Sequence, residues 1–303
     1  MAEILRRGAS QDTWRLRSQQ LVDWSDPQRL QHLERHLAER TAAVAPGTVR
    51  KDISTMKWQL ERQLPAHEVA PLAALLLDLQ AGLRREEATA PVTKAVPITM
   101  AELEAVVKRA EPPVQLLALL AYRTASRVGD LMFLGPRNFR VISTKTLFVS
   151  FGITKTNPDA DNRVDHHVEI DDAKALITLL RALKPTTVTH PALQVELQVF
   201  FTNKHRSTLE RLLAAFPLTK RRRQFWQQLR PESELLTTYS LHSIKRGAAH
   251  RLWAAAAAGK MTPQTVMSML KHKQLDTTLG YAPDQRLVAR AMGTPFATLV
   301  TRE

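Results

Sequence analysis

Three short stretches hold residue types whose spacing suits phosphoryl chemistry. In Thr124-Ala-Ser-Arg127-Val-Gly-Asp130-Leu131 an arginine sits in a turn just after an apolar segment. There its planar fork can meet a phosphate, and Asp130 three residues on can orient it. In Ser240-Leu-His242-Ser-Ile-Lys245-Arg246-Gly-Ala-Ala249 a histidine is followed at three and four residues by two cations. On a helix all three share a face, beside small residues that permit close approach. In Leu270-Lys271-His272-Lys273-Gln-Leu-Asp-Thr-Thr278-Leu-Gly-Tyr281 a histidine and a tyrosine lie nine positions apart. Each stretch also has a plain reading: a surface arginine with a local salt bridge, a solvated basic helix, a half-buried packing tyrosine.

The charge balance agrees with an anionic partner. The 303 residues hold 43 Lys+Arg and 29 Asp+Glu, a net charge of +14. Residues 1–97 carry 14 basic and 12 acidic groups, whereas 98–303 carry 29 and 17, so nearly all the excess lies in the part that holds the three stretches. A polyanion is the expected partner. With no Cys there is no disulfide, no thiolate metal site and no cysteine nucleophile. The first residues, MAEILRRGASQDTWRLR, lack an apolar core and do not read as a secretory signal. The apolar runs near Leu72–Leu77 and Leu116–Tyr122 are too short to span a bilayer. The expectation is a soluble intracellular protein of cytoplasm, nucleoid or nucleus, with no membrane partner.

The elements that must position these residues read as mainly α with a small β-hairpin. Asp26-Pro27 opens a first helix through Ala38, and Pro46-Gly47 closes that region. Thr48 caps a second helix whose Val49, Ile53, Met56, Leu60 and Leu64 recur at helical spacing, and a third spans about Glu68 to Arg85. Residues 1–90 thus form a helical domain, 91–97 a proline-containing linker, and 98–303 a second domain with a C-terminal tail. There Thr99–Glu102 is a capping box, Pro112-Pro113 breaks the helix it starts, and a largely apolar helix follows to about Ala125. Thr146–Ile153 and Val164–Ile170 read as strands about a turn at Asn157-Pro158-Asp159, and Asp171-Asp172 opens a helix to Leu183. Further helices are expected near 190–216, 219–229, 241–258, 262–271 and 284–292.

Taken together and in order, the three stretches resemble the tyrosine recombinase (phage integrase) family. Its pattern is an Arg in a T-x-x-R-x-x-E/D-L turn, a Lys in a hairpin, H-x-x-R, then G-H-x8-Y with Thr-Thr before the tyrosine. The resemblance covers roughly residues 98–293 and implies an α-rich catalytic domain behind a helical core-binding domain. It puts Arg127, Asp130, His242, His272 and Tyr281 on the family's positions, and Lys155 on the hairpin lysine. Two positions depart. The family's second arginine falls on Lys245, so that either Lys245 acts as a point charge or Arg246 takes the role, and Lys271 replaces the glycine before the last histidine. The implied reaction is DNA cleavage and rejoining through a 3′-phosphotyrosine at Tyr281. In it Arg127 and Lys245 or Arg246 meet the phosphate charge, His272 donates a hydrogen bond, Lys155 protonates the leaving oxygen and His242 assists proton transfer. No metal and no nucleotide cofactor is called for. The implied partners are double-stranded DNA and further copies of the chain, a dimer on a site and a tetramer in synapsis. The alternatives are a catalytically impaired DNA-binding derivative and a nicking–closing enzyme like the type IB topoisomerases.

Other residues stay ambiguous. Arg50, Lys51 and Lys57 on the second helix, and Lys271 and Lys273 near the last histidine, are candidate DNA contacts. Asp165-His166-His167 invites a metal reading, against which a chance pair stands, since adjacent strand residues point to opposite faces. The run Lys220-Arg221-Arg222-Arg223 reads as a localisation patch, a phosphate contact or a solvated helix start.

Overall fold

The computed structural model describes residues 22–89, 95–151, 166–189, 196–229, 237–272, 274–282 and 285–293. Expectations for Lys155, Asp165, Lys273, the Asn157–Asp159 turn and the tail beyond residue 293 lie outside the described residues. Two units emerge, one ending near Val92 and one beginning at Thr93.

The first unit holds α1 (Arg29–Ala43), α2 (Pro46–Gln63) and α3 (Ala66–Thr89). The apolar stripe of α2 is why it forms: Val49, Ile53, Met56 and Leu60 are all buried, with Trp24, Leu33 and Leu76 packed into the same core. Pro46 lies in the first turn of α2, behind Ala45, instead of closing the preceding region. Proline suits that place because its missing N–H would have no partner there. One charged pair enters the core, where Arg40 Nε donates to the buried Asp52 at 2.7 Å.

The second unit is mostly helical, as expected, with two small antiparallel sheets where one hairpin was expected. The capping box forms, since Glu102 accepts from the Thr99 N–H at 2.8 Å and Thr99 Oγ1 from the Glu102 N–H at 3.2 Å, which starts α4 (Met100–Val107). Pro112 and Pro113 then open α5 (Pro112–Arg123). Seven of its twelve residues are buried, Leu116, Leu117 and Leu120 completely. Each such leucine contributes about 1.5–3 kcal/mol. This helix is the hub, packed against α4, α6 (Val128–Leu131), α7 (Lys174–Arg181), α8 (Asn203–Ala215) and α10 (Leu241–Ala257).

One sheet is a meander of β1 (Phe139–Val141), β2 (Leu147–Phe151) and β3 (His166–Ile170), with Val149 opposite Val168 and Leu147 opposite Ile170. Leu147, Val149 and Phe151 turn inward. The other pairs β4 (Thr186–Thr189) with β5 (Glu196–Val199). This corrects the helix expected from residue 190, for α8 begins only at Asn203. The remaining helices are α9 (Lys220–Leu229), α11 (Pro263–Met269), α12 (Leu275–Leu279) and α13 (Gln285–Met292). Among the described residues no helix is long and apolar enough to cross a membrane.

Candidate active site

Two helix ends place the candidate residues, and both end the same way. At the end of α5, Ala125 N–H donates to Tyr122 O at 3.3 Å and Ser126 N–H to Ala121 O at 3.1 Å. At the end of α11, Lys271 N–H donates to Ser268 O at 2.9 Å and His272 N–H to Met267 O at 3.1 Å. Each is a Schellman cap, which needs a left-handed residue at its apex, normally glycine. Here the apices are Ala125 at φ 51° and Lys271 at φ 58°. A side chain there costs roughly 1–2 kcal/mol. Arg127 follows one cap directly, and His272 completes the other.

The third element is α10, which presents His242, Lys245 and Arg246 one turn apart. Its Gly247 lets the chain ahead of α4 lie against it: a Cβ at Gly247 would stand 1.8 Å from Ile98 O, and Ile98 N–H donates to Ser243 O at 3.2 Å. Tyr281, just past α12, completes the cluster. Its hydroxyl is 3.1 Å from His242 Nε2. The ring centroids of His272 and Tyr281 are 4.9 Å apart. The Lys245 Nζ and the Arg246 guanidinium carbon lie 5.5 and 5.6 Å from the centre of the tyrosine ring.

The two cations are not equivalent. Lys245 is turned inward, 2% exposed, and Nζ donates to Leu270 O at 3.0 Å. Burial, with Arg127 nearby, lowers its pKa to about 8. Arg246 is half-exposed. Burial raises the pKa of Tyr281, and the charges that pull it back down are Arg127 and Arg246.

Both histidines are kept neutral. The protein mass around His242 lowers its pKa to about 4, although part of the ring meets solvent, and Arg246, Lys245 and Arg127 act in the same sense. Burial, then Lys245 and Arg127, brings His272 to about 4 as well. A neutral His242 can accept the Tyr281 proton at Nε2. His272 Nδ1 is 3.1 Å from Thr278 Oγ1, while its Nε2 is buried without a hydrogen-bond partner among the described residues. Thr278 Oγ1 also lies 3.4 Å from Gln274 O; in the tautomer in which its hydroxyl donates to Nδ1 instead, Nε2 carries the proton and has a bond to give.

Asp130 is buried, and Oδ2 accepts from the backbone N–H of Arg127 at 3.3 Å, so it fixes the turn through the main chain. Lys271, expected as a DNA contact, folds into the site. Its Nζ donates to Ser126 Oγ at 2.9 Å and lies 3.1 Å from the centre of the Phe151 ring. Sequence reading missed this because a lysine beside a histidine looks like a solvent-facing charge; the left-handed cap turns it inward.

Of the residues on α2, Arg50 and Lys57 fall on one flank of the buried stripe, while Lys51 lies on the far side and is exposed, as the turn of roughly 100° per residue requires. In the basic run, Arg222 is committed to structure: Nη2 donates to Pro97 O at 2.8 Å and Nε lies 3.1 Å from Glu102. His167 stacks on Phe148, with ring centroids 4.9 Å apart. No group of three His, Asp or Glu side chains suited to a metal gathers among the described residues.

No protein-family model matches the chain, and no curated protein is significantly similar to it in sequence. Solved structures match it distantly. The XerH site-specific recombinase bound to difH substrate in a pre-cleavage complex is 15% identical, over 83% of this chain and 66% of that one, with a TM-score of 0.45. The Tn1549 transposon integrase in complex with a circular intermediate DNA is 12% identical, over 89% and 94%, with a TM-score of 0.43. A lambda integrase dimer bound to a COC′ core site is 14% identical, over 83% and 93%, with a TM-score of 0.40. This chain thus spans just under two thirds of the XerH chain. The likenesses are distant, and the chemistry has to come from the side chains of this chain.

Proposed function

We propose that this protein cuts and rejoins DNA at specific sites through a covalent 3′-phosphotyrosine at Tyr281. The observation that carries the reading is the Tyr281 hydroxyl, 3.1 Å from His242 Nε2 and ringed by Arg246, Lys245 and His272. Tyrosine is a weak nucleophile at its ordinary pKa of ~10, and burial weakens it further. It needs a base in contact and positive charge nearby, and both are present.

Tyr281 Oη attacks the phosphorus while its proton passes to His242 Nε2. The charge that builds on the non-bridging oxygens is met by Arg127 and Arg246, with a hydrogen bond from His272 Nε2. We assign the second-arginine role to Arg246, because its planar fork is partly exposed beside Tyr281, whereas the Lys245 amine is turned inward onto Leu270 O. Lys245 ties the main chain at Leu270 and so holds the segment that carries His272. The phosphodiester energy is kept in the tyrosine ester, so rejoining needs no nucleotide. Each chain supplies its own nucleophile and base, so one protomer cuts one strand; exchange between two duplexes calls for a dimer on each site and a tetramer in synapsis.

The test is to offer random-sequence suicide duplexes, which lose the leaving strand after cleavage, and to look for protein–DNA adducts on denaturing gels. The adduct should form with the wild type and disappear in Tyr281→Phe. Salt-sensitive DNA binding without any adduct would sink the enzymatic reading and leave a DNA-binding protein.

A further inference from the structure

The Lys271 amine has no part in the chemistry assigned so far, yet it lies inside the same site. Its Nζ is held by Ser126 Oγ at 2.9 Å, the residue directly before Arg127, and rests on the Phe151 ring. An ammonium has three N–H bonds, and among the described residues Ser126 Oγ accepts one of them. Its backbone keeps a left-handed φ of 58°, which glycine would adopt at no cost. The side chain is thus held inward at a conformational expense, beside the arginine that would receive the phosphate.

We propose that Lys271 is a further catalytic residue of this site and that it, in place of the hairpin lysine Lys155 to which the resemblance gives this step, is the acid that protonates the departing 5′-oxygen of the scissile phosphodiester. The inference rests on the strand-transfer reading. As the Tyr281 Oη–P bond forms, the P–O5′ bond breaks and its electron pair goes to the 5′-oxygen. That oxygen takes a proton from Lys271 Nζ, which becomes a neutral amine. In rejoining, the 5′-hydroxyl attacks the phosphotyrosine and returns its proton to Lys271, while His242 returns the other to Tyr281. The surroundings favour this traffic. Arg127 and Lys245 repel the ammonium, Asp130 attracts it, His272 beside it is neutral, and Ser126 and Phe151 form its apolar and hydroxyl walls. Burial is the largest influence, and together these bring its pKa to about 7, where an acid can both give and recover a proton.

The experiment compares two forms of a duplex selected for adduct formation, one with the ordinary bridging 5′-oxygen and one with sulfur in its place. A thiolate leaves without a proton, so loss of the acid is felt on oxygen alone. Lys271→Met should form adduct at least ~100-fold more slowly than wild type on the oxygen substrate and recover to within about tenfold on sulfur. Lys271→Arg, which keeps the charge but not a transferable proton, should behave likewise. Lys271→Gly, suited to the left-handed cap, guards against loss of fold and should give the same split. Equal slowing on both substrates, or none on oxygen, overturns the inference while the strand-transfer reading stands. No adduct from the wild type on either substrate overturns both.

Discussion

Replacing Lys271 by methionine should stabilise the protein at neutral pH, by an amount that depends on pH in a calculable way. The unfolded chain holds the lysine proton up to its ordinary pKa of 10.5, whereas in the folded protein the pKa is lowered to about 7. Between those values the unfolded state binds more protons, so folded stability rises with pH. Each unit of difference is worth about 1.4 kcal/mol, which sets an upper bound of roughly 5 kcal/mol for the penalty at acid pH. Lys271 keeps some contact with water, so the realised penalty is smaller. The change with pH is the firmer quantity: from pH 7 to 9 up to about 2 kcal/mol of it is relieved. Lys245 titrates in this window too, and because it repels the Lys271 ammonium its own pKa rises when Lys271 is removed, which adds to the narrowing of the gap with pH. Urea unfolding of wild type and Lys271→Met at the two pH values measures it. The variant should be the more stable at pH 7, with the gap narrowing at pH 9. A gap that is constant or widens with pH would refute the claim that this amine is buried against its charge.

In the free protein His242 and His272 should stay neutral down to about pH 4, against an ordinary 6.5, and stability should fall as pH drops through that interval. Proton NMR titration of their ring signals reads this directly, and a midpoint above pH 6 for either would contradict it. Gly247→Ala should cost more than ~3 kcal/mol, because the new Cβ would stand 1.8 Å from a backbone carbonyl; a midpoint in urea close to that of wild type would show that the segment can move aside. Arg222→Met should lose about 1–3 kcal/mol with its bonds to Pro97 and Glu102, and Arg222→Lys should recover part of this.

The parts of the fold set by local rules were readable. The Thr99–Glu102 box, the stripe of α2 and the apolar run of α5 each carry their own signal. The β4–β5 pair was legible but overlooked: Thr186–Thr189 is β-branched throughout, and Leu193, Val195, Leu197 and Val199 alternate with polar residues in the period of a strand. Pro46 and Pro112 were read as stops although proline serves equally as a first helical residue. In the site, residue types and order pointed to Tyr281 and its neighbours. The division of labour between Lys245 and Arg246 was not readable, since adjacent residues on a helix differ by roughly 100° in direction and only packing decides which turns inward. Lys271 was hidden for a related reason: nothing in a string of letters shows that a helix will end in a left-handed turn at a lysine.

The bond from Ile98 to Ser243 and the missing side chain at Gly247 join the entry of the chain into the second unit to the middle of α10. The joint works as a lever arm. Ser243 follows His242 directly, and Gly247 follows Arg246, so the backbone at Ile98 bears on the residues beside both side chains. Any displacement of residues 95–98 is therefore felt first at the two residues that follow His242 and Arg246.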